Sequence, residues 1–118
     1  MLAAISLLRE APDEDLIVIE PREDLGRGMA YSTPWYEHLL NVPAAKMSAL
    51  PSEPSHFAEW LTRRGWPPTC GSSFVPRRVY GDYLGDVLRP AVARAERSFR
   101  HIRSEVEDLL RNPRGIRL

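Results

Sequence analysis

An α/β domain built around a parallel strand is the fold class this sequence predicts, and three observations carry the expectation. Residues 16–19 read Leu-Ile-Val-Ile, a short unbroken apolar run of the kind shown by a strand covered on both faces. That run stops at an acid, Glu20, and passes straight into a loop holding Gly26 and Gly28. Apolar residues at helical spacing flank it, over residues 2–9 and again from residue 56 onward. An acid at the carboxyl end of a parallel strand stands where ribose hydroxyls are bound in such folds.

The remaining bounds are consistent with one small domain. A chain of 118 residues buries a real but modest core. Sixteen basic and sixteen acidic residues cancel without forming blocks of one sign, which excludes an electrostatic case for nucleic acid or an anionic membrane surface. The single cysteine, Cys70, has no partner for a disulfide or a redox dithiol. No apolar run approaches the roughly 18 residues a membrane span needs, and the opening MLAAISLLRE has no basic start. A cytoplasmic protein is expected. The eleven prolines fall mostly between residues 12 and 90, which places much of the chain in fixed connections.

In order along the chain, residues 2–9 predict a helix with an apolar stripe of Leu2, Ile5, Leu7 and Leu8, ended by Pro12. A strand follows over 16–20. From Pro21 to Pro51 no periodicity holds, and so long a connection with this apolar content needs a surface to rest on. SEPSHFAEWLTRRG predicts a helix, capped by Ser52 or Ser55, with Pro54 in its first turn, Phe57, Trp60 and Leu61 on one face and Gly65 at its end. The next helix starts near Arg78 and aligns Val79, Tyr83, Val87 and Ala91, flanked by Tyr80, Leu84 and Leu88; Pro90 either kinks it or opens a second segment. A weak alternation from Phe99 predicts a strand running towards Leu109. NPRG then predicts a turn and IRL a returning strand.

The runs EPREDLGRGMAYS, HLLNVPAAKMSALP, HFAEWL and FVPRRVYGDYL, in this order, closely resemble a bacterial family of FAD/NAD(P)-binding, flavoprotein-like oxidoreductases. The resemblance covers nearly the whole chain, is strongest from residue 20 to 85, and implies that residues 1–118 are a partial Rossmann-like FAD/NAD(P)-binding domain. In that family a first strand and a GxGxxG loop precede the helix matched by residues 2–10, and this sequence carries neither. It therefore implies an internal slice, truncated at both ends, completed by further N- and C-terminal segments or a partner chain. The implied cofactor is FAD, the implied hydride donor NADH or NADPH, and the substrate an unspecified small molecule. The competing expectation is a mis-bounded product with no activity of its own, or a protein that binds a dinucleotide without turnover.

The resemblance also directs attention to particular residues. Glu20 would hold the adenosine ribose. Gly26 and Gly28 would let the loop pass close to the cofactor, with Arg27 between them approaching phosphate. Asn41, Lys46 and Met47 belong to the segment that lies near the flavin in relatives; ordinary packing and a solvated lysine are the alternative. Arg77, at the start of a helix, would meet phosphate or the carboxylate of a neighbouring element, or stand on a solvated turn. Val106 matches the residue whose backbone meets adenine. His38, His56 and His101 have no zinc-like spacing, no metal is expected, and no catalytic constellation is legible. In flavin chemistry the cofactor carries the electrons, so that absence is compatible with an oxidoreductase.

Overall fold

In the computed structural model of the chain, residues 1–11, 13–95, 98–108, 110–112 and 115–117 are described, the last two segments through their backbone. The elements are α1 (Leu2–Glu10), β1 (Leu16–Ile19), α2 (Gly28–Tyr31), α3 (His56–Arg63), α4 (Arg77–Arg94), β2 (Phe99–Ile102), β3 (Leu110–Asn112) and β4 (Gly115–Arg117). Two 3-10 turns, Ala44–Lys46 and Pro68–Ser72, interrupt the connections. Pro12, Leu109 and the central pair of the 112–115 turn, all given roles above, lie outside the described residues.

β1 and β2 pair in parallel, Leu16 beside Phe99 through Ile19 beside Ile102. Parallel neighbours cannot be joined by a tight turn, and here α2, α3 and α4 supply the crossover. Side chains alternate along each strand, so Leu16, Val18, Phe99 and His101 share one face and Ile17, Ile19, Arg100 and Ile102 the other. Leu16 and Phe99 pack on the core. On the opposite face Ile17 is 45% and Ile102 43% exposed, so the apolar run of β1 is covered on one side only among the described residues. β3 and β4 form the expected antiparallel hairpin, with Arg111 opposite Ile116.

α1 turns Ala4, Ile5 and Leu8 inward against α4 and β1, whereas Leu2 and Leu7 are exposed. The stripe is thus narrower than the spacing predicts. α3 begins at His56, two residues beyond Pro54. Ser55 occupies the cap position in a helical backbone conformation, and its Oγ donates to Glu59 Oε1 (2.6 Å) instead of accepting a backbone N–H. The other end of α3 follows expectation: Gly65 sits at φ +86°, its N–H donates to the Thr62 carbonyl, and the Trp66 N–H reaches back to Leu61. This is the paired closure a left-handed glycine permits. α4 runs unbroken through Pro90, with Val79, Tyr80, Tyr83, Leu84, Val87, Leu88 and Ala91 buried along one face. Proline forfeits one helical hydrogen bond there, and burial on either side of it holds the helix together.

The connection 21–51 departs most from a featureless loop. It contains α2 and a 3-10 turn, and it sends Leu40, Ala44, Ala49 and Leu50 into the core. Residues 38–40 lie beside 75–77: the Leu40 N–H donates to Val75 O (2.9 Å) and the Arg77 N–H to His38 O (2.8 Å). β2, expected to run towards Leu109, stops at Ile102, and residues 103–108 are irregular. The alternation beyond Ile102 places charged groups on both faces, and no partner strand continues past Glu20 to reward an extended backbone.

The core centres on Tyr83, whose ring is fully buried among Phe57, Trp60 and Tyr80 at centroid distances of 4.7, 5.6 and 5.6 Å. Its hydroxyl accepts the Ala49 N–H (3.0 Å) and lies 2.9 Å from His56 Nδ1. The phenolic proton is directed to Nδ1 when the imidazole is neutral with its own proton on Nε2. Replacing Tyr83 by Phe keeps the ring and strands a buried N–H, so Tyr83→Phe is expected to cost about 1–3 kcal/mol in urea unfolding. Burial pushes the Tyr80 phenol up strongly, with the neighbouring phenols of Tyr31 and Tyr83 adding to it, and burial also raises Tyr83. Both folded-state values exceed the unfolded value of 10.0, so the folded chain holds these protons longer than the unfolded chain. Stability is therefore complete below pH 10 and falls as pH rises towards the folded-state values; urea midpoints on either side of pH 10 test this.

Candidate functional site

At the carboxyl end of β1 the backbone of Glu20 is tied to β2 on both sides. Its N–H donates to Ile102 O (3.1 Å), and its carbonyl accepts from His101 Nε2 (2.8 Å). His101 is thus a strut that fixes where the loop leaves the sheet. The Glu20 carboxylate is 23% exposed and accepts the Arg22 backbone N–H (3.1 Å), with the Arg22 guanidinium 3.4 Å away; both contacts use Oε1.

The loop then turns onto α4. Gly26 is buried at φ +110°, and a Cβ there would stand 3.2 Å from the Gly85 nitrogen. One turn earlier on α4, a Cβ at Gly81 would stand 2.8 Å from the Tyr31 carbonyl oxygen. Gly81 therefore opens a groove on α4 in which α2 lies, whereas a Cβ at Gly85 would meet nothing within 4 Å, so the close approach beside Gly85 rests on Gly26. Arg27 closes the contact by ion pairing with Asp82 across it. Tyr31 meets Tyr80 edge-on at 4.9 Å. Gly28 differs from Gly26: its φ is +53°, and nothing lies within 4 Å of where its Cβ would be.

That open space belongs to a cleft of about 380 Å³ between the first turn of α1 (Met1, Leu2, Ala3), residues 26–31, and Tyr80 and Leu84 of α4. The first intrahelical bond of α1 is Ile5 N–H to Met1 O (3.1 Å), so the N–H groups of Leu2, Ala3 and Ala4 have no partner within the helix. The cleft combines a helix N-terminus with a left-handed glycine that has room beside it, while the Arg27 guanidinium is turned to Asp82. Backbone N–H donors of this kind can receive an anion.

The other expected residues are dispersed. Asn41 and Lys46 are exposed on the connection, and Met47 packs partly against the core. Arg77 donates its Nε to the Leu39 carbonyl (3.0 Å), which makes it a tie between α4 and the connection. Val106 is exposed in the irregular segment after β2. Among the described residues no three His, Cys, Asp or Glu side chains converge as for a metal, and no helix is long and apolar enough to cross a membrane. Sequence reading passed over Gly81, Gly85 and the role of Asp82 as partner to Arg27. For Gly81 the signal was present in YGDYLG, where a glycine interrupts a helical apolar pattern.

The chain is a small α/β domain, with a parallel strand pair and several helices, an arrangement consistent with a Rossmann-like dinucleotide-binding domain. Comparison with protein families agrees: the family described as FAD-NAD(P)-binding matches residues 1–118, and the chain belongs to it. No curated protein and no solved structure matches the chain.

Because the Tyr31 carbonyl has no room to yield without shifting α2, Gly81→Ala is expected to destabilise the fold by about 1–3 kcal/mol and to displace the loop beside the cleft. Thermal or urea unfolding, together with the amide resonances of residues 26–31, reads both effects.

Proposed function

We propose that this chain binds FAD, with the diphosphate at the first turn of α1 beside Gly28 and the adenosine ribose at Glu20, and serves an FAD-dependent oxidoreductase. The observation that carries the reading is the cleft at Gly28, where a left-handed glycine leaves the backbone open next to helix N–H donors. Any larger residue at this position would be strained at φ +53° and would narrow the cleft. Glu20 keeps Oε2 outside its turn with Arg22, which suits an acid that accepts from a sugar hydroxyl. Arg27 would share its guanidinium between Asp82 and phosphate. Asn41 and Lys46, both exposed, are accessible to the flavin half of the cofactor. Bound FAD would supply the electron or hydride transfer, with NADH or NADPH as reductant and a small molecule as the other substrate. The chain's own residues position the cofactor.

Titration of the purified chain with FAD, followed by flavin fluorescence, tests the reading. Glu20→Ala is expected to weaken binding by about 1–3 kcal/mol, the range for losing a hydrogen bond to a charged group. Unchanged affinity would remove Glu20 from the site, and absence of FAD binding to the unaltered chain would overturn the proposal. Bleaching of the flavin absorbance by NADH or NADPH separates an oxidoreductase from a protein that only holds the dinucleotide.

A further inference from the structure

A second cleft, of about 430 Å³, lies where α1, α3 and α4 converge, and its lining shares no residue with the cleft at Gly28. Ala3 lines the first cleft and Arg9 the second; six residues of helix place their backbones about 9 Å apart along α1. The lining of the second cleft is dominated by arginine: Arg9 from α1, Arg63 and Arg64 from the end of α3, and Arg89 from α4. Its one acid is Asp86.

Asp86 does little to repel an anion, because its charge is already spent. Oδ2 accepts from Trp60 Nε1 (3.1 Å) and from Arg64 Nη2, while Oδ1 accepts from Arg89 Nη1 (3.3 Å). The carboxylate acts as a splint that fixes two guanidiniums, and the Trp60 ring beneath Arg64, 4.7 Å from its guanidinium carbon, fixes one of them again. Arg9 reaches Glu53 through Nη2 (3.1 Å), and Arg63 stands 3.9 Å from Glu59, beyond hydrogen-bond distance. Arg64 and Arg89 also border a neighbouring cleft of about 560 Å³ whose lining includes Glu23, Asp24 and Asp82, whereas of the acids only Asp86 lines the second cleft. A guanidinium carries five N–H donors, and these contacts occupy a minority of them.

Arginines at helix C-termini often do no more than complement the helix dipole, and this accounts for Arg9 and Arg63. It leaves out two features: Arg89, in the body of α4, is held by Asp86 one turn earlier, and Arg64, at the end of α3, is clamped by both that carboxylate and an indole. We infer that this cleft binds a small, multiply charged oxyanion, a phosphate ester or a polycarboxylate, through forked hydrogen bonds from Arg63, Arg64 and Arg89 with Arg9 at its rim. The planar fork of arginine matches two oxygens of either group.

Calorimetric titration of the purified chain with inorganic pyrophosphate and with citrate, at matched ionic strength and in the presence of FAD, tests the inference. Saturable binding of at least one probe is expected, and which probe binds distinguishes a phosphoryl ligand from a carboxylate one. Arg63 and Arg89 are 58% and 78% exposed, so the double variant Arg63→Gln/Arg89→Gln should fold; it is expected to bind at least about tenfold more weakly. Arg100→Gln, on β2, should leave the affinity unchanged. In the unaltered chain the Trp60 indole N–H resonance should move on titration while those of Trp35 and Trp66 stay in place, which separates this cleft from the one at Gly28. The inference is overturned if neither probe binds, if the double variant binds as well as the unaltered chain, if Arg100→Gln weakens binding equally, or if the Trp60 signal does not respond.

Discussion

The hydroxyl of Tyr83 is the interaction on which the rest of the structure depends. A connection running from β1 to α3 has to cross the core, and every backbone N–H it buries needs an acceptor. Ala49 finds its acceptor in the Tyr83 hydroxyl, and the same hydroxyl meets His56 at the start of α3. One side chain of α4 therefore joins the connection, α3 and the aromatic cluster of Phe57, Trp60 and Tyr80. Because α4 is held by this contact, so are the residues that follow from its phase: Tyr80 and Gly81 just before Tyr83, Gly85 and Asp86 just after. The first pair faces α2, and Asp86 positions the arginines of the second cleft. Core and clefts share a single reference helix.

Close backbone approach governs the candidate dinucleotide site. Gly26 and Gly28, two positions apart, solve different problems. Gly26 is spent on packing, since its bare Cα lets the loop reach within van der Waals distance of Gly85. Gly28 is left facing open space in a conformation that side chains resist. A motif that reads as one glycine-rich element thus divides into an anchor against the fold and a backbone open to the cleft, and Arg27 between them is drawn to the anchor by Asp82.

Much of this fold was legible because long periodic segments declare themselves. The pattern of Val79, Tyr83, Val87 and Ala91 appears in α4 as read, and the apolar run ended by Glu20 is a parallel strand. What stayed hidden has a common cause. α2 is one turn long, too short to show a period, and it rests where Gly81 bares α4 to receive it. The partner of Arg27 lies 55 residues away, and Arg77 is tied to Leu39 across 38 residues, so neither pairing leaves a local trace. The alternation from Phe99 outruns the strand because it continues in the sequence after the pairing with β1 has ended at Ile102.

The two clefts differ in what makes them favourable to anions, and the difference follows from their construction. At the first turn of α1 the donors are backbone N–H groups with a helix dipole behind them, so the site depends on chain geometry and on glycine more than on any charged side chain. In the cleft formed by Arg9, Arg63, Arg64 and Arg89 the attraction is carried by full charges near the surface, which salt screens over a Debye length of roughly 8 Å. The first suits a ligand seated close against the backbone. The second suits one that arrives through an electrostatic field and is then gripped by guanidiniums already held in place by Asp86 and Trp60. Both are fixed by the same nine-residue helix, α1, whose amino end opens on one cleft and whose carboxyl end supplies Arg9 to the other.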